Sequence, residues 1–486
     1  MLKDASSTSV YGSAGANGVI IITTKKGFEG KPVINFNSFI GLNGWSKVPK
    51  VRSGESYMNT LREANQATGN WNSTEDDSKL FPNDGYYQAY LNNKWVDWAD
   101  EALKNGYESN TSLSISGVTE RTKAYASFNF SNEVGQYAND NYKLYSTKIN
   151  VEHKINNWIS TGVNLQASYT HQNRRGSVKL DRALYAIPLG DAYNEDGSIN
   201  PYPVPEDESN ISILADEIPG AYKQRVNNTK LYINPYIEIR PVKGLSVLSR
   251  LNGTLNTAKT GLFRGTGSFN YYQNKVTEAS IRNRKNYNYM WENIATYNLE
   301  IGDHALTLTG VTSFSHDQRD EEYMFGQGIT DNKYLWYNIE AATDKKTMTS
   351  TYEMSKRMAY VGRVNYSYLG RYLFSASIRR DGDSKLAKGH QWHTFPGLAG
   401  AWRINEESFM ESTKDWLSNF KLRLSWGMAG TAKIDPYSSS SLLQQGHLAV
   451  GNEALISYYP SQIITNPYLG WEKSYNTNIG LDMSFL

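Results

Sequence analysis

The chain has 486 residues with Lys+Arg 50, Asp+Glu 48, a net charge of +2, no cysteine, Tyr 35 and Trp 12; its mean hydropathy is −0.59. No basic tract suggests a nucleic-acid partner, and there is neither a disulfide framework nor thiol chemistry. No apolar run approaches the length of a spanning helix, which excludes a helical membrane protein but not a transmembrane β-barrel, whose alternating strands average out as hydrophilic.

The first stretch, Leu2–Gly27, combines a helix-compatible start, a glycine-punctuated turn (Tyr11-Gly12 and Gly15-Ala16-Asn17-Gly18) and the apolar run Val19–Thr24. Asn-Gly favours reversal, and an apolar run without alternation reads as a strand buried on both faces. Met1-Leu2-Lys3-Asp4 does not open a signal peptide, lacking a charged region followed by an apolar core.

Val33–Gly41 alternates as a strand. A long insertion, Leu42 to about Glu108, carries a helix at Glu55–Ala67 after Ser53 and a shorter one at Trp95–Lys104. Thr111–Ser116 and Lys123–Ser131 are then joined by a short turn, and Lys143–Ile155 and Trp158–Thr170 by Asn156-Asn157. In the second of that pair Ile159, Thr161, Val163, Leu165, Ala167 and Tyr169 form one face. Ser160, Gly162, Asn164, Gln166, Ser168 and Thr170 form the other. Such a strand crosses a bilayer at a tilt in about 9–11 residues.

The device recurs in Leu231–Arg240 with Leu245–Leu255, Tyr287–Ile301 with Ala305–Ser315, and Ala359–Tyr368 with Tyr372–Arg380. Long polar connections, about His171–Lys230, Asn256–Asn286, His316–Met354 and Asp381–His393, separate these hairpins. Long loops alternating with short turns are the layout of an outer-membrane barrel. With Phe395–Ile404, Phe420–Met428 and Tyr475–Phe485 the count is about fourteen strands. That number is even, as a barrel beginning and ending on one side requires.

The motif LKDAS…YG..GANGVIIITTKKG resembles the closing segment of the plug domain in TonB-dependent outer-membrane transporters, closest to the SusC/RagA-like branch. Ser13-Ala14-Gly15 stands where the family commonly has serine, arginine and glycine. Further similarity lies in Trp95–Trp98 with Ser112–Gly117, Tyr360–Tyr366, Arg379–Gly382, Phe395–Gly397, Trp402–Ile404 with Glu407–Phe409, Lys421–Gly427, and Leu469–Lys473 with Asn478–Asp482. The resemblance implies an all-β fold: a partial transmembrane antiparallel β-barrel over residues 31–486 with the end of a plug domain over residues 1–30. Family barrels have 22 strands around a plugged lumen, so about fourteen implies an internal fragment incomplete at both ends. Lys3, Asp4, Tyr11, Gly12, Gly15 and Gly18 would shape the plug segment structurally.

For function the resemblance implies import across the outer membrane of a Gram-negative, Bacteroidota-like cell, driven by the TonB complex through an N-terminal segment upstream of Met1. A SusD-like surface lipoprotein would be the lid, and the cargo an oligosaccharide or oligopeptide. Candidate ligand contacts are the loop aromatics Trp71, Tyr86, Tyr87, Trp95, Trp98, Tyr271, Tyr272, Trp336 and Trp392, whose faces suit sugar rings and peptide side chains alike. A passive porin or surface adhesin would share the strand pattern without needing the plug segment, and a soluble glycan-binding β-protein would lack a lipid-facing band.

No enzyme is expected, since no nucleophile–base or paired-carboxylate constellation emerges from spacing, and no cofactor is expected. His390 and His393 have H-x-x-H spacing without an acidic helix. Asn194–Ser198 and Asp381–Ser384 are oxygen-rich, but lack the complete spaced ligand set of a calcium loop and read as turns.

Overall fold

The computed structural model describes residues 32–176, 180–205, 207–413, 415–440, 443–451, 453–460 and 466–485. The plug-like stretch, with Lys3, Asp4, Tyr11, Gly12, Gly15 and Gly18, lies outside the described residues.

Fourteen strands form one antiparallel sheet. In chain order they begin with β1 (Val33–Asn43), β2 (Gly106–Val118), β3 (Thr122–Val134), β4 (Asn141–Lys154) and β5 (Ile159–Arg174). Then come β6 (Tyr222–Ile239), β7 (Leu245–Arg264), β8 (Glu278–Ile301), β9 (His304–Gln327) and β10 (Lys346–Tyr368). The remaining three before a break are β11 (Tyr372–Asp383), β12 (Trp392–Arg403) and β13 (Leu417–Thr431). A separate hairpin of β14 (Leu443–Val450) and β15 (Glu453–Pro460) precedes β16 (Glu472–Phe485), which pairs with β13. Every strand otherwise pairs with its sequence neighbours; β1 and β16 are the edges of an open sheet.

Directly paired residues in an antiparallel ladder project to the same face, so the register sorts the two surfaces. Phe36, Leu113, Phe128, Thr147, Ala167, Leu231, Leu255 and Tyr287 follow one another across β1–β8 in one row. Val364, Ala376, Leu398 and Trp426 continue that face across β10–β13. On the other face Asn37, Ser112, Asn129, Ser146, Ser168, Lys230, Asn256, Asn286, Arg319 and Glu353 run across β1–β10. The apolar face is the outer, convex one: Ile378 is 58% exposed, whereas its neighbour Ser377 on the polar face is 9% exposed.

Aromatic rings mark two levels on the apolar face. Tyr360 stacks on Trp392 at 6.2 Å near the long-loop side. Tyr368, Tyr372 and Trp402 stack in series at 6.3 and 6.4 Å beside the short turns. From Tyr360 to Tyr368 the strand advances about 27 Å, a tilted bilayer crossing. Among the described residues no helix is long and apolar enough to cross a membrane.

The strands reach further than their apolar alternation predicts. β8 begins at Glu278 rather than Tyr287, and β9 runs to Gln327 rather than Ser315. These extensions carry charged and amide residues on both faces, so no clear period-2 signal marks them; the ladder and cross-strand ion pairs hold them. Glu321 accepts from Arg282 Nη1 at 2.6 Å, Arg284 Nε at 2.8 Å and Arg319 Nη2 at 2.8 Å.

The long–short alternation also has two exceptions. The β3–β4 connection on the long-loop side is only residues 135–140, and the β12–β13 turn carries two short 3-10 turns, Ile404–Glu406 and Ser408–Thr413. The β10–β11 turn is tight because Leu369 (φ 54°) and Gly370 (φ 66°) both adopt the left-handed region, closed by Arg371 N–H donating to Tyr368 O at 3.0 Å.

The hydrophobic cores lie in the long loops and against the strand ends beside them, such as Phe263 of β7 and Phe395 of β12. Helix α1 (Gly54–Gln66) follows Ser53 as expected. A 3-10 segment, Thr74–Leu80, and α2 (Asp84–Leu91) then occupy the stretch between the two expected helices; Ser73 and Asn83 side chains cap them. The second expected helix shrinks to α3 (Trp98–Ala102), where Asp97 accepts from Ala99 and Asp100 N–H. Trp98 packs with Ile213, Leu214 and Phe269, joining three loops, while Met58, Tyr86, Leu189 and Val204 form a second core.

Candidate functional site

Two surfaces carry polar or aromatic groups in a concentrated way: the polar face of the sheet and the loop assembly above it. The polar face presents successive rows. Asn35, Ser114, Ser127, Lys148, Gln166 and Tyr232 lie beside the row already traced. Asn150, Asn164 and Asn234 form the next, and Asn234 Nδ2 donates to Asn252 Oδ1. Tyr236 lays its ring across Gly162, where an added Cβ would meet ring carbon Cε1 at 2.5 Å.

Three ion pairs on this face join neighbouring strands. Arg250 donates to Glu292 at 2.8 Å, Arg357 to Asp317 at 3.1 Å, and Arg423 to Asp482 at 2.7 Å. The Oδ1 atoms of Asn228, Asn256 and Asn286 are buried without a hydrogen-bond partner among the described residues. Toward the short turns a depression of about 460 Å³ is lined by Arg363, Asn365, Lys421 and Arg423. A wall of amides, hydroxyls and paired charges suits a hydrogen-bonding cargo or a polar plug.

The loop aromatics divide by environment. Tyr86 is buried, its hydroxyl donating to Asp207 at 3.0 Å, and burial pushes that phenol up in pKa. Trp98 is buried and donates Nε1–H to Ile187 O at 2.9 Å. Trp336, 2% exposed, lies flat over Gly261 in a third loop core with Phe263 and Ile329. Trp71 donates to Asp77 at 2.9 Å. Tyr87 and Trp95 keep partly exposed rings near Phe81, Tyr90 and Tyr57. Tyr271 and Tyr272 meet edge to face at 6.0 Å, the latter also against Tyr202. Trp392, 41% exposed, pairs with Gly382 in register and so stands on the apolar outward face, apart from the others.

Charge holds the loop assembly at several points, within one loop and between loops. Arg62 and Asp77 join α1 to the Thr74–Leu80 turn, and the guanidinium holds the Asp77 carboxyl below its ordinary range. Arg175 Nη1 meets Glu217 at 2.6 Å, with the side chains 5% and 11% exposed and the guanidinium over the Tyr137 ring. Tyr193 donates to Glu101 at 2.8 Å, and that carboxylate pushes its hydroxyl up to about 12.

The two oxygen-rich stretches use their oxygens internally, and the second is not a turn, since Asp381–Asp383 end β11 in the ladder with β10. Asp196 Oδ1 accepts from Ser198 N–H at 2.9 Å and Ser198 Oγ–H at 2.6 Å, Asp383 accepts from Lys385 N–H at 2.9 Å, and Asp381 from Arg379. His390 meets Tyr468 while His393 meets Phe395. Among the described residues no cluster of three potential metal ligands is present.

No protein-family model matches the chain. Over its whole length it is 29% identical to the TonB-dependent receptor P26 of Formosa agariphila, covering 48% of that protein. It is 28% identical to the TonB-dependent receptor SusC of Bacteroides thetaiotaomicron, also over 100% of the chain and 48% of that protein. The RagAB peptide importer in its closed-closed state superposes with a TM-score of 0.83 at 21% identity, over 99% of this chain and 56% of the other. The chain is SusC/RagA-like.

This SusC/RagA-like chain spans about half the length of the curated relatives it matches. Those relatives are named as receptors, and none bears an enzyme's name. The fourteen-stranded sheet follows the fold of the RagAB structure. Sequence reasoning missed the Glu321 cluster and the buried amides of Asn228, Asn256 and Asn286 in this SusC/RagA-like wall. A signal was present in the alternation of Arg282, Arg284, Asn286 and Asn288, but with polar residues on both faces it did not stand out.

Proposed function

We propose that the chain forms wall and outer loops of a TonB-dependent importer in the outer membrane, with residues 31–486 in the barrel and 1–30 closing the plug. The observation that carries this reading is the two-faced sheet: exposed apolar residues between two aromatic levels on one side, rows of amides and paired charges on the other. Such a wall is stable only with lipid outside and a polar lumen inside. The names of the relatives support TonB-linked receptor activity, and the likeness to a peptide importer is one of fold. The cargo class is therefore an oligosaccharide or an oligopeptide, with a SusD-like lipoprotein as lid.

Within this reading the polar wall meets cargo and plug. Ligand contact from the loops narrows to aromatics with exposed ring surface, Trp71, Tyr87, Trp95, Tyr271 and Tyr272, whereas Tyr86, Trp98 and Trp336 hold the loops together.

Single cysteines at Val163, Gln166 and Tyr337 of the full-length protein in intact cells test this. Tyr337 is 65% exposed in the outer loops, and Val163 and Gln166 take opposite faces of β5. A membrane-impermeant thiol reagent should label Tyr337, spare Val163, and reach Gln166 only when the plug is displaced. Free labelling of Gln166 would indicate an open pore or adhesin barrel, and equal labelling of Val163 and Gln166 would remove the barrel reading.

A further inference from the structure

The outward face is not uniformly apolar. Arg380 projects from it, opposite Tyr360 on β10 and Thr394 on β12. Its guanidinium sits over the Trp392 ring at 5.7 Å, and Trp392 is itself stacked on Tyr360. Among the described residues Arg380 has no carboxylate partner, whereas Arg379, on the polar face, is held by Asp381 at 2.7 Å. An unpaired guanidinium at the aromatic level of a lipid-facing surface is an anion receptor waiting at headgroup depth.

Directly below it the surface is concave. A depression of about 640 Å³ is lined on this face by Val247, Ala295, Gly310, Gly362, Ile378 and Arg380. It continues into a second of about 560 Å³ that shares Ala295, Gly310, Gly362 and Ile378 and ends at Leu245 and Tyr297. The register places Arg380 level with Tyr360, Thr312 and Asn293. Tyr297 lies four residues further down β8, about 13 Å along the strand, close to the depth of one bilayer leaflet.

We propose that Arg380 and this groove bind one outer-leaflet lipid, its phosphate on the guanidinium and an acyl chain along the Gly310–Gly362 floor. Charge complementarity at the top and apolar walls below select a phosphorylated, acylated lipid, and the position of Arg380 beside the 384–391 loop sets the leaflet. Lys356, exposed on the same face one pair beyond Met358, adds a second cation toward the loops. The proposal rests on the membrane reading above.

The test uses full-length protein purified in mild detergent from the outer membrane, with native mass spectrometry counting retained lipid. Diphosphoryl lipid A and its dephosphorylated form are then added back as probes. Arg380→Gln should weaken diphosphoryl lipid A about tenfold and leave the dephosphorylated form unchanged. Gly310→Leu should weaken both, since no atom lies within 4 Å of a Cβ there and the side chain enters the groove without a clash. Gly400→Leu, equally open but outside the groove, should change neither. Unchanged retention in Arg380→Gln and Gly310→Leu, with the protein still in the outer-membrane fraction, would overturn the lipid site alone. Wild-type protein absent from that fraction would overturn the membrane reading and the lipid site together.

Discussion

Arg62 grips Asp77 in a two-point fork, Nε donating to Oδ1 at 2.9 Å and Nη2 to Oδ2 at 2.5 Å, while Trp71 Nε1 shares Oδ1. The carboxylate is buried, and it ties α1 to the turn that precedes α2. Removing Asp77 leaves the Arg62 guanidinium, 13% exposed, with only the exposed Glu55 as a charge partner, a loss of up to about 3 kcal/mol. Asp77→Ala should therefore release segment 54–91 to proteolysis while the strands stay protected. Measured cleavage rates unchanged from wild type would show that the fork holds nothing. Because the Asp77 pKa is depressed by Arg62, this support is complete above the unfolded value of 3.8 and fades as pH falls through the lower folded value.

Trp336 makes a second structural claim testable. Its indole covers Gly261 so closely that an added Cβ would lie 2.2 Å from Cε2. Gly261→Ala should expel the ring, and Trp336→Ala should empty the core it shares with Phe263 and Ile329. Truncating a buried tryptophan costs about 3–5 kcal/mol, enough to open the 328–345 loop. Both variants should give the same proteolysis pattern there. Wild-type loop protection together with lost cargo binding in Trp336→Ala would return the residue to a ligand role.

These two sites show where sequence reading stops. The alternation of Val163 and Gln166 was legible because one solvent differs from the other across a membrane strand, and the same logic found all fourteen strands of the main sheet. It failed in the outer halves of β8 and β9, where Arg282, Arg284 and Glu321 face one polar surface and Asn283 and Glu322 the other. The Thr74–Leu80 segment and α2 were hidden for another reason: they fold on loop-core contacts such as Tyr86 with Asp207, set by residues more than a hundred positions away. Trp336 and Trp392 were equally plausible as loop aromatics. Only pairing and burial separate a core plug from an outward interface ring.

Glu321 is the hinge of those polar extensions, the shared acceptor of Arg282, Arg284 and Arg319. Exposed pairs contribute little singly, but three arginines left around an alanine repel one another, a net loss of about 1 kcal/mol. Hydrogen exchange in Glu321→Ala should quicken about fivefold at the outer ends of β8 and β9 and not at their membrane halves. Glu353→Ala is the control, because its contact with Arg319 is 4.0 Å and exposed. Equal effects from the two substitutions would reduce the cluster to ordinary surface charge.

Asp216 responds to pH in the sense opposite to Asp77. It is buried among loops, accepts the Phe269 N–H at 2.9 Å, and its pKa is raised, chiefly by burial, above the ordinary 3.8. The folded state then binds the proton more tightly than the unfolded chain. Its contribution to stability is complete below 3.8 and is lost as pH rises through the elevated folded value. The junction of the β5–β6 and β7–β8 loops should therefore loosen as pH rises from 3.8 through the elevated folded value, read as faster hydrogen exchange in 211–221 and 265–274 after correction for intrinsic rates. Asp216→Asn keeps an oxygen for the Phe269 N–H and removes the charge, so it should flatten that slope and protect both segments at neutral pH. A slope that survives the substitution would assign the pH response to another group in the hub, and exchange that slows with pH would reverse the sign argued for Asp216.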